Sequence, residues 1–359
     1  MKAELLGVDA PVWNSFLTHA RHDFYHLPSY AAICAAQEGG DAQALHITHG
    51  GRRVLLPLIV RPIRGGGYDA VSPYGYPGPV VIGPADADFM RSALTAGMRL
   101  LGTQGIVSLF VRLHPLLNIP PPERLGQIVQ HGDTIVIDLT LPEEELWNQT
   151  RPNHRSQINR AVRAGREAKF DEAWSHFGAF KRLYRETMTK VSAASYFFFD
   201  EAYFDDLKAA LGERIRLCVV EVDQTVAVAA LFVETGGIVQ YHLSGSDPAF
   251  AREGLTKLMF HFVRTWAKER GNRYFHLGGG LGPADDPLLH FKAGFSPLRQ
   301  SYYTLRAILN EGEYERLVQA RAAGHGPLET GFFPAYRAPR GGSYRPSASS
   351  IGDHGNAPR

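Results

Sequence analysis

A lysine in a short apolar segment is the side chain of this sequence best placed to do chemistry. Lys292 follows Leu288, Leu289 and Phe291 within residues 273–297, RYFHLGGGLGPADDPLLHFKAGFSP. Because these residues share one or two helical turns, the ammonium group must either reach solvent or meet an anionic or reacting partner. A solvated lysine on a small surface helix is the ordinary alternative. The glycine-rich strand end directly upstream makes the functional interpretation at least as strong.

The residues around this lysine predict how it is held. Residues 273–277 are expected to form a strand, followed by a glycine turn and a helix at 287–293. Asp286 is placed to cap the helix, Pro287 fits its first turn, and Gly294 is expected in a left-handed exit. These signals predict a helix of one to two turns that fixes the lysine near the end of the strand.

The glycine turn consists of Gly278, Gly279 and Gly280 and continues to Gly282. Successive glycines permit either a sharp turn or a row of backbone amides open to a substrate, so the first three are candidate binding residues. The run lacks the last glycine of G-x-G-x-x-G, and no Gly-Lys-Ser/Thr occurs in the chain. Neither common nucleotide-binding loop is therefore predicted.

A basic stretch, RPNHRSQINRAVRAGREAK at residues 151–169, is the second candidate site. On a helix, four of its positions share one face: Arg155, Ile158, Val162 and Arg166. Since the two apolar members of this face should be buried, Arg155 is expected to point inward with them. Arg160 and Arg163 fit an ordinary solvated surface. We predict that Arg151, His154 and Arg155 bind a phosphate-bearing substrate, for which the guanidinium fork is suited.

The loop SPYGYPGP, residues 72–79, presents Tyr74 and Tyr76 between prolines and glycines. Rigid aromatic loops recur at binding sites, although prolines in loops often only stiffen the chain. Both tyrosines are candidate substrate-binding residues. No histidine pair with acids nearby has metal-ligand spacing, and no G-x-S-x-G occurs, so metal and serine-nucleophile mechanisms are disfavoured.

Composition narrows the class of protein. The 359 residues suggest two domains, and 44% of them are hydrophobic, which is sufficient for packed cores. The net charge of +2 predicts that any nucleic-acid contact is a local patch. Cys34 and Cys218 stand alone, which excludes a disulfide framework and fits a reducing compartment. No signal peptide or membrane span is predicted, so a soluble, cytoplasmic protein is expected.

The predicted elements suggest a duplicated α/β (α+β) architecture. In the second half, helices near 153–166, 175–190 and 200–211 precede strands at 214–222, 225–234 and 238–244, a helix at 252–270 and a strand at 299–309. The first half gives nearly the same order, with strands at 43–49, 52–60, 79–82, 106–112 and 133–139, helices at 9–21, 29–38 and 86–102, and a loop from residue 68 to residue 79.

This order of elements resembles that of the GNAT (N-acyltransferase) fold. It implies two GNAT-like domains, each a mixed, mainly antiparallel sheet flanked by helices. The boundaries are predicted at 1–140, completed by 313–340, and at 141–312. A Gly/Ser/Pro-rich tail at 341–359 is expected to be disordered.

Two details of the second domain bear on its substrate. GNAT proteins that bind acetyl-CoA carry Q/R-x-x-G-x-G/A before the helix that corresponds to 252–270, whereas this chain has SDPAFAREGLTKLM there, which counts against coenzyme A. YHLSGS, at 241–246, lies where GNAT sheets splay apart around the acyl donor. Tyr241 and Ser244 are candidate substrate-binding residues. His242 is a candidate catalytic residue or, equally, a packed strand histidine.

Several segments together resemble the Fem family of aminoacyl-tRNA-dependent aminoacyltransferases and their FemAB-like relatives. They are TRPNHRSQINRAVRAG (150–165), YHLSGS, FHLGGG with DDPLLHFKAGF, and GFFPAYR (331–337). The resemblance implies amide formation without metal or cofactor, in which an amine attacks the ester of aminoacyl-tRNA, a co-substrate. It also implies that Lys292, next to Phe291, lies near the reaction centre, and that 313–323 and FFPAYR return to the first domain.

The chain departs from some cell-wall Fem proteins, because no heptad-rich helical hairpin occurs between Leu141 and Gly212. It therefore resembles the shorter members, which act in peptidoglycan bridges, exopolysaccharide clusters and antibiotic biosynthesis. The leading hypothesis is transfer of a small amino acid from aminoacyl-tRNA to an amine. The alternatives are an N-acyltransferase that uses acyl-CoA or an acyl carrier protein, and a non-catalytic GNAT-like binding module.

Overall fold

A computed structural model of the chain describes residues 1–117, 124–280, 286–325 and 331–338. The predicted proline-rich loop at 119–122, Gly282 of the glycine turn and the predicted tail at 341–359 lie outside these ranges. Within the described ranges, no helix is both long enough and apolar enough to cross a membrane.

The described residues contain both strands and helices. The strands are β1 (Lys2–Gly7), β2 (Asp41–His49), β3 (Arg52–Pro62), β4 (Tyr68–Val71), β5 (Val80–Ile82), β6 (Ile106–Arg112), β7 (Gln127–Asp138), β8 (Ala168–Phe170), β9 (Ile215–Val222), β10 (Thr225–Thr235), β11 (Ile238–Ser246), β12 (Tyr274–Gly279) and β13 (Arg299–Ile308). The helices are α1 (Pro11–Leu17), α2 (Pro28–Glu38), α3 (Ala87–Thr103), α4 (Glu143–Gln149), α5 (Pro152–Arg163), α6 (Phe177–Lys190), α7 (Glu201–Leu211), α8 (Leu255–Glu269), α9 (Pro287–Lys292) and α10 (Glu311–His325).

The chain divides into two compact units. The first contains Met1–His131 and the described residues from Ser301 onward, and the second contains Gly132–Gln300. In the first unit the strand order is β1-β2-β3-β4-β6-β13, with β5 paired to β3. The β4–β6 pair is parallel and the other registered pairs of this unit are antiparallel. Apolar residues of β2, β3 and β6 pack against Phe89, Met90 and Leu94 of α3 to form its core.

In the second unit the strand order is β7-β12-β11-β10-β9-β8. Here β11 and β12 are parallel, and β9, β10 and β11 form an antiparallel meander. One face of this sheet packs against α8, whose Met259, Phe260 and Val263 are fully buried. The prediction that each part of the chain has mixed, mainly antiparallel strands flanked by helices is confirmed.

Two strands of the first unit are missing from the sequence prediction. β1 pairs with β2 over its whole length, and β4 lies between β3 and β6 in a segment predicted as a loop. Both are short, and β4 stands next to a run rich in glycine and proline. Each becomes a strand because it pairs with other strands of the sheet. Local periodicity in the sequence does not reveal such pairing.

The last described residues pack on the first unit. Leu317 of α10 and Tyr336 form a small apolar cluster with Ile63 and Val107. The Tyr336 hydroxyl lies 2.8 Å from Ser108 Oγ, and burial, followed by the nearby Asp69 carboxylate, raises the pKa of this tyrosine. These contacts attach the C-terminal segment to the strands of the first unit.

Candidate active site

Helix α9 begins as the sequence predicts. Asp286 accepts hydrogen bonds from the backbone N–H groups of Leu288 and Leu289, at 2.8 and 2.9 Å, and Pro287 occupies the first turn. A Cβ atom at Gly280 would overlap the Asp286 carboxylate, so glycine is needed there for the cap to form. The start of α9 therefore depends on both features, since Gly280 leaves the space that the capping carboxylate of Asp286 occupies.

Lys292, at the end of α9, is fully buried. Its Nζ donates a hydrogen bond of 2.8 Å to the carbonyl oxygen of Gly279 and lies 5.8 Å from the centroid of the Tyr241 ring. The interpretation of this residue as a solvated surface lysine is wrong. The ammonium group is held in a low-dielectric environment, where its charge acts strongly on any group that comes near it.

The parallel strands β11 and β12 pair over only three residues each, Ile238–Gln240 with Tyr274–His276. Beyond this point come Tyr241 on one strand and the glycines on the other. Gly278 has a φ of +77° at an irregularity in the β7–β12 register, and Gly279 ends β12. The Lys292 amino group, on the Gly279 carbonyl and beside Tyr241, lies where the pairing of these strands ends.

The first five residues of YHLSGS, 241–245, are buried in β11, and Ser246 is partly exposed. Tyr241 donates a hydrogen bond of 2.7 Å to Ser244 Oγ and packs against Phe260 of α8, with ring centroids 4.5 Å apart. His242 lies at a register shift between β10 and β11. Burial lowers the pKa of His242 to about 3, so its ring is neutral at neutral pH. Its catalytic role stays a prediction.

A cavity of about 800 Å³ lies in the second unit at the N-terminus of α8. Gly254, the residue before α8, has a left-handed conformation, and no side chain caps this helix in the described structure. The first N–H groups of α8 and its dipole therefore favour an anion at this end. In the wall, Arg151, Arg252 and Lys257 carry positive charge and Asp247 carries one negative charge, so the cations are in excess.

Lys257 and Phe291 connect this cavity to α9. The Lys257 ammonium lies 5.0 Å from the centroid of the Phe291 ring. Burial, followed by the charge of Arg160, lowers the pKa of Lys257. Both causes disfavour the charged form of Lys257. A bound negative charge would offset the desolvation and the repulsion, so this environment suits an anion.

Arg151 lies at the start of α5 and forms hydrogen bonds with His290 of α9 and with Gly294, which follows this helix. Its Nη1 donates to the carbonyl of His290 at 3.0 Å and to His290 Nε2 at 2.8 Å. Its backbone N–H donates to the carbonyl of Gly294 at 2.8 Å. Arg151 lies in the cavity wall, and its role in substrate binding stays a prediction.

His154, one turn further along α5, is buried between the rings of Phe291 and Phe295. A Cβ atom at Gly294 would overlap the imidazole ring. Gly294 does not take the left-handed conformation that the sequence analysis expected, and Ala293 ends α9 in a right-handed conformation. The physical reason for glycine at this position is the close approach of His154.

The inward face of α5 differs from the predicted one. Ile158 is buried as expected, but Val162 is 54% exposed, and the buried neighbours of Ile158 are His154 and Ala161. Arg155 is therefore not carried inward, and its Nη1 donates to Asn148 at 3.2 Å on an exposed part of the unit. Arg155 is absent from the cavity wall, so the structure does not bring it together with Arg151 and His154.

Tyr74 and Tyr76 are core residues of the first unit. Tyr74 is 6% exposed, and its carbonyl accepts a hydrogen bond of 3.0 Å from the Tyr30 hydroxyl. Tyr76 is fully buried and packs against Tyr25 and Tyr302. The alternative in which this loop mainly stiffens the chain accounts for these contacts.

Sequence reasoning missed Lys257, Arg252 and the cavity itself. Lys257 lies in the first turn of a strongly amphipathic helix, where a cation opposes the helix dipole. That unfavourable placement was the available signal. The cavity depends on the packing of α5 beside α8, which no local pattern encodes.

Comparison with known proteins agrees with this architecture. Residues 148–292 match the family model described as an acetyltransferase (GNAT) domain. The crystal structure of FemX superposes with a TM-score of 0.68 at 13% identity, covering 88% of this chain and 99% of FemX. No curated protein sequence matches the chain.

Two further structures have the same fold. The C-terminal domain (DUF2156) of a candidate lysylphosphatidylglycerol synthetase from Agrobacterium fabrum gives a TM-score of 0.53 at 15% identity, covering 86% of this chain and 94% of that one. A conserved protein of unknown function from Bacteroides thetaiotaomicron gives 0.54 at 11% identity, covering 82% and 96%. The chain therefore has a GNAT fold of the Fem type, and the resemblance stated from the sequence is confirmed at the level of the fold.

Proposed function

We propose that this protein is an acyltransferase that takes a small amino acid from aminoacyl-tRNA and joins it to an amine in an amide bond. The observation that carries the proposal is the cationic cavity at the uncapped N-terminus of α8, next to the helix that holds Lys292. The acceptor is an amine of a cell-wall precursor, a polysaccharide or an antibiotic-type small molecule. No cofactor is required, because the ester of the donor is already activated.

Three cations of the cavity wall would hold the phosphates of the donor. Arg151 and Arg252 offer guanidinium groups that match phosphate oxygens, and Lys257 adds a charge at the first turn of α8. Phe291 provides an apolar ring beside them, on which a base of single-stranded RNA can stack. This combination of cations and an aromatic ring is typical of sites for single-stranded nucleic acid.

The corresponding helix of the first unit supports a single donor site. In element order α3 is the counterpart of α8, but its N-terminus is closed by Asp86, whose Oδ1 accepts from the Phe89 N–H at 2.8 Å. The same carboxylate pairs with Arg52 at 2.7 Å, and Asp88 adds a second negative charge to the first turn. A phosphate would be repelled there, so we infer that only the second unit binds the donor.

The reaction exchanges an ester for an amide. The acceptor nitrogen attacks the ester carbonyl carbon, the C–N bond forms, and the C–O bond to the ribose breaks. The bonding electron pair leaves with the ribose oxygen, which takes up the proton that the amine loses. Negative charge develops on the carbonyl oxygen in the transition state. A fixed cation near that oxygen stabilises the transition state more than the ground state.

Lys292 is the proposed source of that positive charge. It reaches the end of the β11–β12 pairing, held by the Gly279 carbonyl, so its ammonium is oriented before the substrate arrives. Preorganised charge of this kind contributes to catalysis because nothing needs to reorient during the reaction. Tyr241 and Ser244, which are hydrogen-bonded to each other, would line the path of the aminoacyl group.

A second candidate function is an N-acyltransferase that uses acyl-CoA. The match of residues 148–292 to an acetyltransferase domain favours it, and so does a cavity able to hold a pyrophosphate. The segment before α8 opposes it, because REGLTK has one glycine, Gly254, and its spacing from Arg252 does not match Q/R-x-x-G-x-G/A.

Binding measurements distinguish these two donors. Three phosphate contacts on single-stranded RNA give a slope of about −2 in a plot of log affinity against log salt, about −0.7 for each contact. We expect salt-dependent binding of charged tRNA with a slope at least this steep, and no measurable heat with acetyl-CoA in calorimetry. Arg151→Ala should reduce the slope by about 0.7, the share of one contact. Tight acetyl-CoA binding that salt does not weaken would replace the tRNA donor with coenzyme A.

A further inference from the structure

His154 carries a ring nitrogen whose role the proposed function does not use. The imidazole is 6% exposed and belongs to the wall of the cavity at α8. Its Nε2 lies 3.0 Å from the carbonyl oxygen of Phe291. Its Nδ1 is buried, and no residue in the described part of the chain forms a hydrogen bond with it.

The hydrogen bond to Phe291 fixes the tautomer of this ring. A carbonyl oxygen only accepts, so Nε2 must carry the proton and donate it. In the neutral ring Nδ1 is then an acceptor with a free lone pair. A buried acceptor without a donor is unfavourable, and a bound ligand that supplies a donor would remove that penalty.

The surroundings keep the ring neutral. Burial, followed by the positive charge of Lys257, lowers the pKa of His154 to about 4, and Arg151 and His290 act in the same direction. These groups come from each of the helices packed around the ring, which are α5, α8 and α9. The hydrogen bond from Nε2 to the Phe291 carbonyl opposes them only in part. At neutral pH His154 therefore cannot attract phosphate by charge.

The nature of the missing donor follows from the same charges. An ammonium group would be repelled by Lys257 and Arg151, and a phosphate oxygen has no proton to give. A neutral hydroxyl next to a phosphate satisfies both conditions, because the phosphate is held by the cations while the hydroxyl donates to Nδ1. In an aminoacyl-tRNA this description fits the free hydroxyl of the terminal ribose.

We propose that Nδ1 of His154 accepts a hydrogen bond from the free ribose hydroxyl of the donor's terminal nucleotide, which makes this histidine a specificity determinant for RNA ends. The inference rests on the proposed function, since it concerns the donor that this function assigns. It revises the sequence prediction for His154 from phosphate binding to hydroxyl recognition. His154 does not act on the reacting bond.

Two substitutions separate this role from the structural contact with Phe291. His154→Gln can place an amide N–H near the position of Nε2 and keep the hydrogen bond to the Phe291 carbonyl, but it has no acceptor at Nδ1. His154→Asn can place an acceptor near the position of Nδ1 and loses the contact with Phe291. A purely structural histidine would be replaced better by Gln, and a hydroxyl acceptor better by Asn.

The test measures the affinity of the full-length protein for two RNA minihelices ending in CCA and esterified with an amino acid at the terminal 3′-oxygen, one with and one without the terminal 2′-hydroxyl. For the wild-type protein we expect roughly tenfold tighter binding of the hydroxyl form, which corresponds to one buried hydrogen bond. His154→Gln should bring this ratio close to one, and His154→Asn should keep part of it. Thermal denaturation reports whether each variant is folded.

Each other outcome is decisive. If both RNAs bind the wild-type protein equally well, His154 does not recognise the hydroxyl, although the proposed donor stands. A ratio that survives in His154→Gln assigns the hydroxyl to another acceptor and also overturns the inference. If neither RNA binds the wild-type protein, the proposed donor is wrong and this role of His154 is refuted with it. Should His154→Gln fail to fold, the wild-type protein and His154→Asn decide: a ratio above one in both supports the inference, and a ratio of one in either overturns it.

Discussion

Replacing Lys292 by Met removes a buried ammonium group and keeps a flexible apolar side chain of similar length. The Gly279 carbonyl then loses a donor at 2.8 Å. An unpaired buried acceptor costs about 1–3 kcal/mol, so loss of this hydrogen bond should lower the free energy of unfolding by about that amount. The protein should therefore remain folded, and turnover can be measured.

The expected effect on catalysis is larger. A preorganised group that stabilises an oxyanion contributes about 2.7–4 kcal/mol to the transition state, which corresponds to a loss of 10²–10³ in kcat. The assay is single-turnover transfer of a radiolabelled amino acid from saturating charged tRNA to an amine acceptor. Because Lys292 is not among the residues that line the cavity, the affinity for tRNA should change little.

Lys268→Met is the matched control. Lys268 also belongs to the second unit and donates to two backbone carbonyls, those of Leu139 at 2.9 Å and Leu141 at 2.6 Å. It is absent from the cavity wall. The control should lose a comparable amount of stability and keep its turnover. Near wild-type turnover in Lys292→Met would show that Lys292 is only a structural anchor, and the catalytic argument would fail.

Three further predictions concern the surrounding residues. Arg151→Ala should weaken tRNA binding roughly 10- to 100-fold in a filter assay, since a charge-assisted contact contributes about 1.5–3 kcal/mol. Arg155→Ala should have little effect on this binding. Equal effects of the two substitutions would contradict the assignment of the α5 face. Gly294→Ala should lower the free energy of unfolding, measured in urea, by about 1–3 kcal/mol, because the added methyl group overlaps the His154 ring. An unchanged midpoint of urea denaturation would show that the ring moves aside without cost. The pKa values of His154, about 4, and His242, about 3, lie below the 6.5 of an exposed histidine. The unfolded chain therefore takes up protons first, and stability present above pH 6.5 is lost as the pH falls. When the pH is lowered from 7.5 to 5, each of the two rings should reduce the free energy of unfolding, measured by urea denaturation, by about 2 kcal/mol, at about 1.4 kcal/mol per pH unit below 6.5. A free energy of unfolding that does not change with pH would contradict their burial as neutral rings.

Local chemistry explains what the sequence could predict. The start of α9 depends on Asp286 and Pro287, which act on their own neighbours, and both were identified from their positions in the chain. The burial of Lys292 follows from the apolar residues on the same short helix. The duplicated element order was also readable, because strands and helices in both units carry their own periodicity and turn residues.

The sequence predictions were wrong where the residue at a position is determined by contact with a residue distant in sequence. Gly294 is explained by the imidazole of His154, a contact across about 140 positions of sequence that the turn rules do not include. The face of α5 was misplaced because Val162 is the larger apolar residue, whereas the packed surface uses Ala161 and His154. A small residue allows close approach, and hydrophobicity alone does not register this.

The most direct test of the central claim is amide formation with a defined donor. The full-length protein is incubated with charged tRNA and an amine acceptor, with and without prior ribonuclease treatment, and in parallel with acetyl-CoA. We predict product with charged tRNA, loss of that product after ribonuclease, and none with acetyl-CoA. Product that persists after ribonuclease, or that forms from acetyl-CoA, would contradict the proposed donor.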